Sequence, residues 1–148
     1  MKTVRRRTTA SPGEVWSILA DGWLFGSWVV GASRVRAVEP SWPQQGSRIH
    51  HSVGGWPVVI DDDTQVLESE EDRLLVMQAR LRPLGQARVE IRLTPQGSGT
   101  LIAMSEDFVS GPGLLVPGPA RRAALGVRNA ETLHRLALMA ERRTEPEG

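Results

Sequence analysis

The sequence predicts an α+β fold in which an antiparallel sheet of about seven strands packs against one long C-terminal helix. Three observations carry this. Over residues 119–143, Leu125, Leu133, Leu136, Ala137, Met139 and Ala140 recur at three- and four-residue steps, with Arg121, Arg122, Arg128, Arg135, Arg142 and Arg143 between them. Most of the preceding chain instead alternates with a period of two, most cleanly where Ala87, Val89, Ile91 and Leu93 face one way and Arg88, Glu90 and Arg92 the other. Turn residues such as Gln96-Gly97-Ser98-Gly99 then join consecutive strands as hairpins, which implies antiparallel pairing with one solvated face. A helix of about 24 residues is about 36 Å long. Burying its apolar stripe takes a wide surface, which a curved sheet supplies.

The elements follow in order. Residues 2–9 suit an edge strand. Ser11-Pro12-Gly13-Glu14 fits a capping box, opening a short helix whose apolar face is Val15, Trp16, Ile18 and Leu19. Asp21-Gly22 ends it, and residues 23–28 form a second short helix. From Ser33 the period becomes two, with Val35 and Ala37 alternating with Arg34 and Arg36. Residues 40–46 are a turn-rich loop, 48–53 the next strand, and Gly54-Gly55-Trp56-Pro57 a turn into 58–67. Residues 73–82 place Leu75, Met77, Ala79 and Leu81 on one face, with Gln78, Arg80 and Arg82 on a wet one. Residues 100–109 close the strands, with Ile102, Met104, Glu106 and Phe108 inward; residues 110–118 link to the long helix, where Pro119 is tolerated in the first turn.

Composition bounds the function. The 148 residues fit one domain spanning 1–148. A formal charge of +1 supplies no global drive towards nucleic acid, and the Arg-bearing strand faces lack the interleaved aromatics of an RNA-stacking platform. Arg5, Arg6 and Arg7 are followed by Thr8, Thr9, Ser11, Pro12 and Gly13 and not by an apolar run, so no secretory leader is expected. No run approaches the roughly 20 apolar residues of a membrane span, and a cytoplasmic location is the expectation. With no Cys and no Tyr, disulfides, thiol nucleophiles, thiolate metal sites and a Tyr general acid are all excluded. The five Trp (16, 23, 28, 42 and 56) all lie in the first 56 positions, where they either line a cavity or supply core bulk.

The order β-α-α-β6-α resembles the helix-grip fold of the START/Bet v 1-like (SRPBCC) superfamily. The local sequence is similar to its polyketide cyclase/dehydrase and lipid-transport branch at Ala20-Asp21-Gly22-Trp23, Gly46-Ser47-Arg48-Ile49-His50-His51, Trp56-Pro57, Arg82-Pro83-Leu84-Gly85, Glu106-Asp107-Phe108-Val109-Ser110-Gly111-Pro112 and Arg128-Asn129-Ala130-Glu131-Thr132-Leu133. The resemblance implies a cavity between the concave sheet face and the long helix, holding an apolar or amphipathic small molecule. It does not imply one chemistry.

Two constellations can carry chemistry. Counting through a Gly54–Pro57 turn sets His51 opposite Ile60 and Ile49 opposite Asp62, which makes His51 and Asp62 diagonal neighbours on one face. His50 and Asp61 then pair on the other. A His beside a carboxylate can act as a general base near neutral pH, or be an ordinary cross-strand polar pair. Glu106 follows Ile102 and Met104 on a buried face, where burial favours its neutral form unless a cation pairs with it. Asp61-Asp62-Asp63 does not make a metal site, because successive strand residues point to opposite faces; no metal and no cofactor are expected. Asn129 and Glu131 can border a cavity mouth.

The reading is a binder of a lipid-, polyketide- or isoprenoid-like molecule. Its expected liners are Trp23, Trp28, His51, Trp56, Ile60, Met77, Leu81, Val89, Ile91, Met104, Glu106 and Phe108. The alternative is a cyclase/dehydratase-type enzyme with His51 as base, Asp62 orienting it and Glu106 as acid. A third reading is an interaction module similar to the Hsp90-activating relatives, using Arg80, Arg82, Arg88 and Arg92.

Overall fold

The computed structural model describes the backbone of residues 2–30, 32–55, 58–81 and 84–144, and their side chains except at 2, 33, 53–55, 58–60, 81 and 144. Strand β1 (Lys2–Thr8) leads into α1 (Pro12–Leu19). A 3-10 turn (Gly22–Leu24) and α2 (Phe25–Trp28) follow. Strands β2 (Ala32–Val38), β3 (Arg48–Gly55), β4 (Val58–Glu70), β5 (Leu74–Leu81), β6 (Gly85–Gln96) and β7 (Gly99–Ser110) come next. After a second 3-10 turn (Pro112–Leu115), α3 (Gly118–Thr144) completes the order. One antiparallel sheet has the order β1-β7-β6-β5-β4-β3-β2, so β7 sits between β6 and the first strand.

Each element forms for a local reason. The Ser11 hydroxyl accepts from the Glu14 N–H at 3.2 Å and donates to the Glu14 carboxylate at 3.0 Å, closing the expected capping box with Pro12 in the first turn. Asp21 caps the next turn through the Trp23 N–H. Along α3 the predicted stripe is the buried one: Leu133, Leu136, Ala137 and Ala140 are fully enclosed, and Leu125 nearly so. Leu133, Leu136 and Ala140 pack with Ile91, Leu93, Ile102 and Met104 of the sheet and with Val15, Ile18 and Leu19 of α1 in a single apolar cluster. Arg121 pins the start of α3 by an ion pair to Asp107 of β7 at 2.7 Å. Burial opposes the charge on Asp107, but the Arg121 hydrogen bond, the Phe108 N–H and the Arg121 charge together hold its pKa below the ordinary carboxylate value.

Three expectations change. The β3–β4 ladder runs to Gly55↔Val58, two residues further than a turn beginning at Gly54 allows, so His51 pairs with Asp62, Ile49 with Thr64 and His50 with Asp63. A two-residue shift keeps every side chain on its expected face. In β2 a register irregularity between Val35 and Ala37 leaves Ala37 exposed and turns Val38 towards the core instead. The outer face of β5 is not wholly wet: Leu74 and Val76 are buried there. Their ladder partners are Glu70, Arg92, Glu68 and Glu90, long side chains whose aliphatic stems can shield them.

Candidate functional site

Strands β3 and β4 bring His51, Asp62 and Thr64 together on the enclosed face. Here the structure joins two residues singled out in the sequence and adds a third. His51 is 3% exposed, directly opposite Asp62 in the ladder, and its Nε2 lies 2.9 Å from the Thr64 hydroxyl. Phe25 of α2 stacks on the imidazole with ring centroids 5.3 Å apart and planes 28° from parallel. Nδ1 of His51 is buried and makes no hydrogen bond to any described residue. Desolvation by burial lowers the His51 pKa below its ordinary 6.5, and the opposing fields of Asp62 and Asp63 do not restore it. The neutral imidazole is therefore the resident form at pH 7.

A depressed folded-state pKa means that the unfolded chain binds the proton more readily. The stability that His51 contributes is complete above pH 6.5 and is lost as pH falls from there through the folded-state value. Urea unfolding followed from pH 8 down to pH 5 should show stability falling in that window, and His51→Gln should flatten the slope. An unchanged slope in the variant would assign the pH dependence to other groups.

On the opposite flank, Glu106 of β7 is buried as expected and has a cation. Nη1 of Arg128 on α3 donates to both carboxylate oxygens, at 2.8 and 3.1 Å. The same guanidinium donates from Nε to the Val30 carbonyl at 2.9 Å, while the Thr132 hydroxyl accepts the Val30 N–H at 3.2 Å. Both backbone groups of Val30 are thus held by α3, which fixes the junction between α2 and β2. Asn129, between these two helix residues, is buried with its Oδ1 making no hydrogen bond to any described residue, and the indole Nε1 of Trp28 is likewise buried without one.

The remaining expected liners divide. Met77, Val89, Ile91 and Met104 are buried in the central cluster, and Phe108 is half-buried at the strand's end, against Gly113. Trp28 is enclosed, edge-on to Phe25 at 5.4 Å. Trp23 is 61% exposed and lines a separate open depression of about 490 Å³ with Asp21, Glu39, Trp42 and Arg143. It turns outward because the capped 3-10 turn buries Gly22 against Val38 and Trp42. Trp56 lies outside the described residues, as do the side chains of Ile60 and Leu81. Of the helix pair, Asn129 is enclosed and Glu131 is exposed, bonded to Arg135.

The Asp triplet splits as the pleat requires. Asp61 faces out towards Arg36 and Ser52, Asp62 inward, and Asp63 out towards Arg48 and Arg80. Among the described residues no group of three or more His, Asp or Glu is arranged to hold a metal ion. Arg128, Thr132, Thr64 and Phe25 were not picked out from sequence. Arg128 and Thr132 stand in the helix motif, but only the placement of α3 over β7 and α2 shows what they bind.

His51 and Glu106 do not meet across the sheet. Glu106 pairs with Val89 and Val89 with Met77, so β6, β5 and β4 intervene before His51 on β3. At ~4.8 Å per strand that is ~19 Å along the sheet surface. The two groups therefore stand four strands apart in the sheet.

A seven-stranded antiparallel sheet gripping one long helix, with buried polar groups on the enclosed face, defines a helix-grip protein of the START/Bet v 1-like class. The chain belongs to the family described as polyketide cyclase/dehydrase and lipid transport, whose profile matches residues 2–141. Among solved structures it is similar to protein NE0264 from Nitrosomonas europaea (16% identity, TM-score 0.72, 96% of this chain and 94% of that one). Protein MLL2253 from Mesorhizobium loti shares 21% identity at a TM-score of 0.72, with 98% of both chains covered. The di-domain ARO/CYC StfQ from the steffimycin biosynthetic pathway shares 13% identity at a TM-score of 0.74, over 96% of this chain and 50% of that one. No curated protein matches the chain. At these identities the structural likenesses speak to the fold. Among the described residues, no helix is long and apolar enough to cross a membrane.

Proposed function

We propose that the protein binds an apolar or amphipathic small molecule, lipid-, polyketide- or isoprenoid-like, between the sheet and α3. The observation that carries this reading is that, among the buried polar atoms with no hydrogen-bond partner in the described residues, three belong to residues of the enclosed face, α2 and α3: Nδ1 of His51, Nε1 of Trp28 and Oδ1 of Asn129. Buried polar groups in native proteins are nearly always paired, and unpaired ones cost about 1–3 kcal/mol each. A ligand hydroxyl or carbonyl supplies what they lack, while Met77, Val89, Ile91 and Met104 receive the apolar body. The family description supports the same class of ligand. The reading assumes a cytoplasmic protein of one domain, which the lack of cysteine suits.

Native mass spectrometry on freshly purified protein, followed by denaturing extraction, tests the proposal. The expected result is a discrete added mass that extracts as an apolar small molecule. Met104→Trp fills the interior at β7 and is expected to abolish uptake. Full uptake by that variant would remove β7 from the site.

A second reading, a cyclase- or dehydratase-type enzyme, draws support from the neutral imidazole with Nδ1 unengaged, a form able to accept a proton. In it His51 is the base, the Thr64 hydroxyl and the Phe25 ring hold the imidazole, Asp62 opposite supplies a negative field, and Glu106 stands bound to Arg128 on the far flank. A rate that falls as pH drops through the His51 titration, and that collapses in His51→Ala, would favour this reading over simple binding.

A further inference from the structure

The antiparallel ladder sends the ends of β3, β5 and β7 to one end of the sheet, together with the start of β6. That end carries an exposed apolar rim. Leu114, Leu115 and Val116 follow one another in the chain at 45%, 85% and 43% exposure, and Leu84 and Val109 stand beside them at 49% and 50%. These are not loose residues. The Gly113 N–H donates to the Leu84 carbonyl at 2.7 Å, joining the turn before β6 to the turn after β7. Arg121, already bonded to Asp107, donates to the carbonyls of Val116 at 2.9 Å and Leu114 at 3.4 Å. The fold therefore spends an arginine on holding three apolar side chains out in water. Isolated exposed apolar residues need no explanation; a contiguous, braced set marks an interaction site.

Charge identifies the partner. From residue 108 to residue 130 there is no Asp or Glu, while Arg121, Arg122 and Arg128 all fall there. Arg121 and Arg128 are taken up by Asp107 and Glu106, but Arg122 is exposed and forms no ion pair with any described residue. An apolar tip with a cation at its shoulder and no nearby acid on its own segment suits an anionic lipid surface, where the tip enters the headgroup boundary and the guanidinium meets lipid phosphates. The chain's small net charge is no obstacle, because attraction at a membrane decays within a Debye length and only local charge counts.

We propose that this rim docks the protein peripherally on anionic lipid bilayers, seated on Leu114, Leu115 and Val116 with Arg122 at the edge. Docking needs no occupant in the interior, so its failure leaves the proposed binding standing, and the reverse also holds.

Co-sedimentation of the full chain with vesicles of phosphatidylcholine, with and without phosphatidylserine, tests it. Binding is expected to the anionic vesicles and to weaken as salt is raised. Leu115→Glu, at a position too exposed to affect folding, should weaken it by at least about tenfold. Arg122→Ala should weaken it about fivefold. No sedimentation with phosphatidylserine vesicles would overturn the proposal. So would binding that both variants retain in full. Concentration-dependent self-association lost in Leu115→Glu, without vesicle binding, would also overturn it and assign the rim to a second copy of the chain.

Discussion

Replacing Arg128 with alanine is expected to cost about 3–5 kcal/mol of folding stability. The Glu106 side chain is 2% exposed, and Arg128 donates to both of its carboxylate oxygens. Without the guanidinium a charge is stranded among Met104, Val89 and neighbouring apolar residues. Breaking such a pair costs far more than the pair contributes, because the surviving ion still pays its desolvation. The Val30 carbonyl loses a donor as well. Arg128 is 27% exposed, so partial hydration of the vacated site places the loss towards the lower bound. Urea unfolding measures it. Glu106→Gln combined with Arg128→Met should recover most of the loss, since the pair is then replaced by neutral groups. Equal losses in the single and double variants would show that Arg128 acts through its packing and its bond to Val30, not through Glu106.

Gly85→Ala is expected to be nearly as damaging, at about 3 kcal/mol, and it acts on the rim instead of the core. Gly85 has φ +118°, a conformation that side chains rarely adopt, and a Cβ there would overlap the Ser110 carbonyl. Gly111, at φ +92°, faces it across the same close approach, with its own Cβ position blocked by the Gly85 backbone. The two glycines let the start of β6 and the end of β7 touch backbone to backbone, and this contact carries the exposed Leu114–Val116 run. Gly97→Ala is the control. Gly97 also has positive φ, but nothing lies within 4 Å of its Cβ position, so only the conformational strain applies, about 1 kcal/mol. Comparable midpoints for the two variants in thermal unfolding would mean that the Gly85–Gly111 contact opens freely. The Gly85 variant should in that event leave the rim and its vesicle binding intact.

Much of this molecule is decided by local pattern. The 3.6-residue stripe of α3, the period-two alternation of β6 and β7 and the capping box at Ser11 each point one way, and the order of strands and helices follows from such patterns without reference to long-range contacts. Local pattern also placed His51, Asp62 and Glu106 on the enclosed face, because a strand's two faces are assigned by parity alone. Composition by itself ruled out thiol and tyrosine chemistry.

Parity does not settle register, and the ladder through Gly55↔Val58 set His51 squarely against Asp62 and diagonal to Thr64. Nor does it settle which cation answers a buried carboxylate: Arg128 lies 22 residues from Glu106, and only the docking of α3 across β7 selects it from the six arginines of that helix. Trp23 and Trp28 read alike as bulky aromatics, yet one is solvated and the other enclosed, because Trp23 sits within the capped 3-10 turn and Trp28 ends the short helix that follows it. Periodicity is a property of a few neighbouring residues and is legible in one dimension. Partnership across the sheet–helix interface depends on how rigid elements rotate and settle against one another, and that is fixed only when the whole core packs.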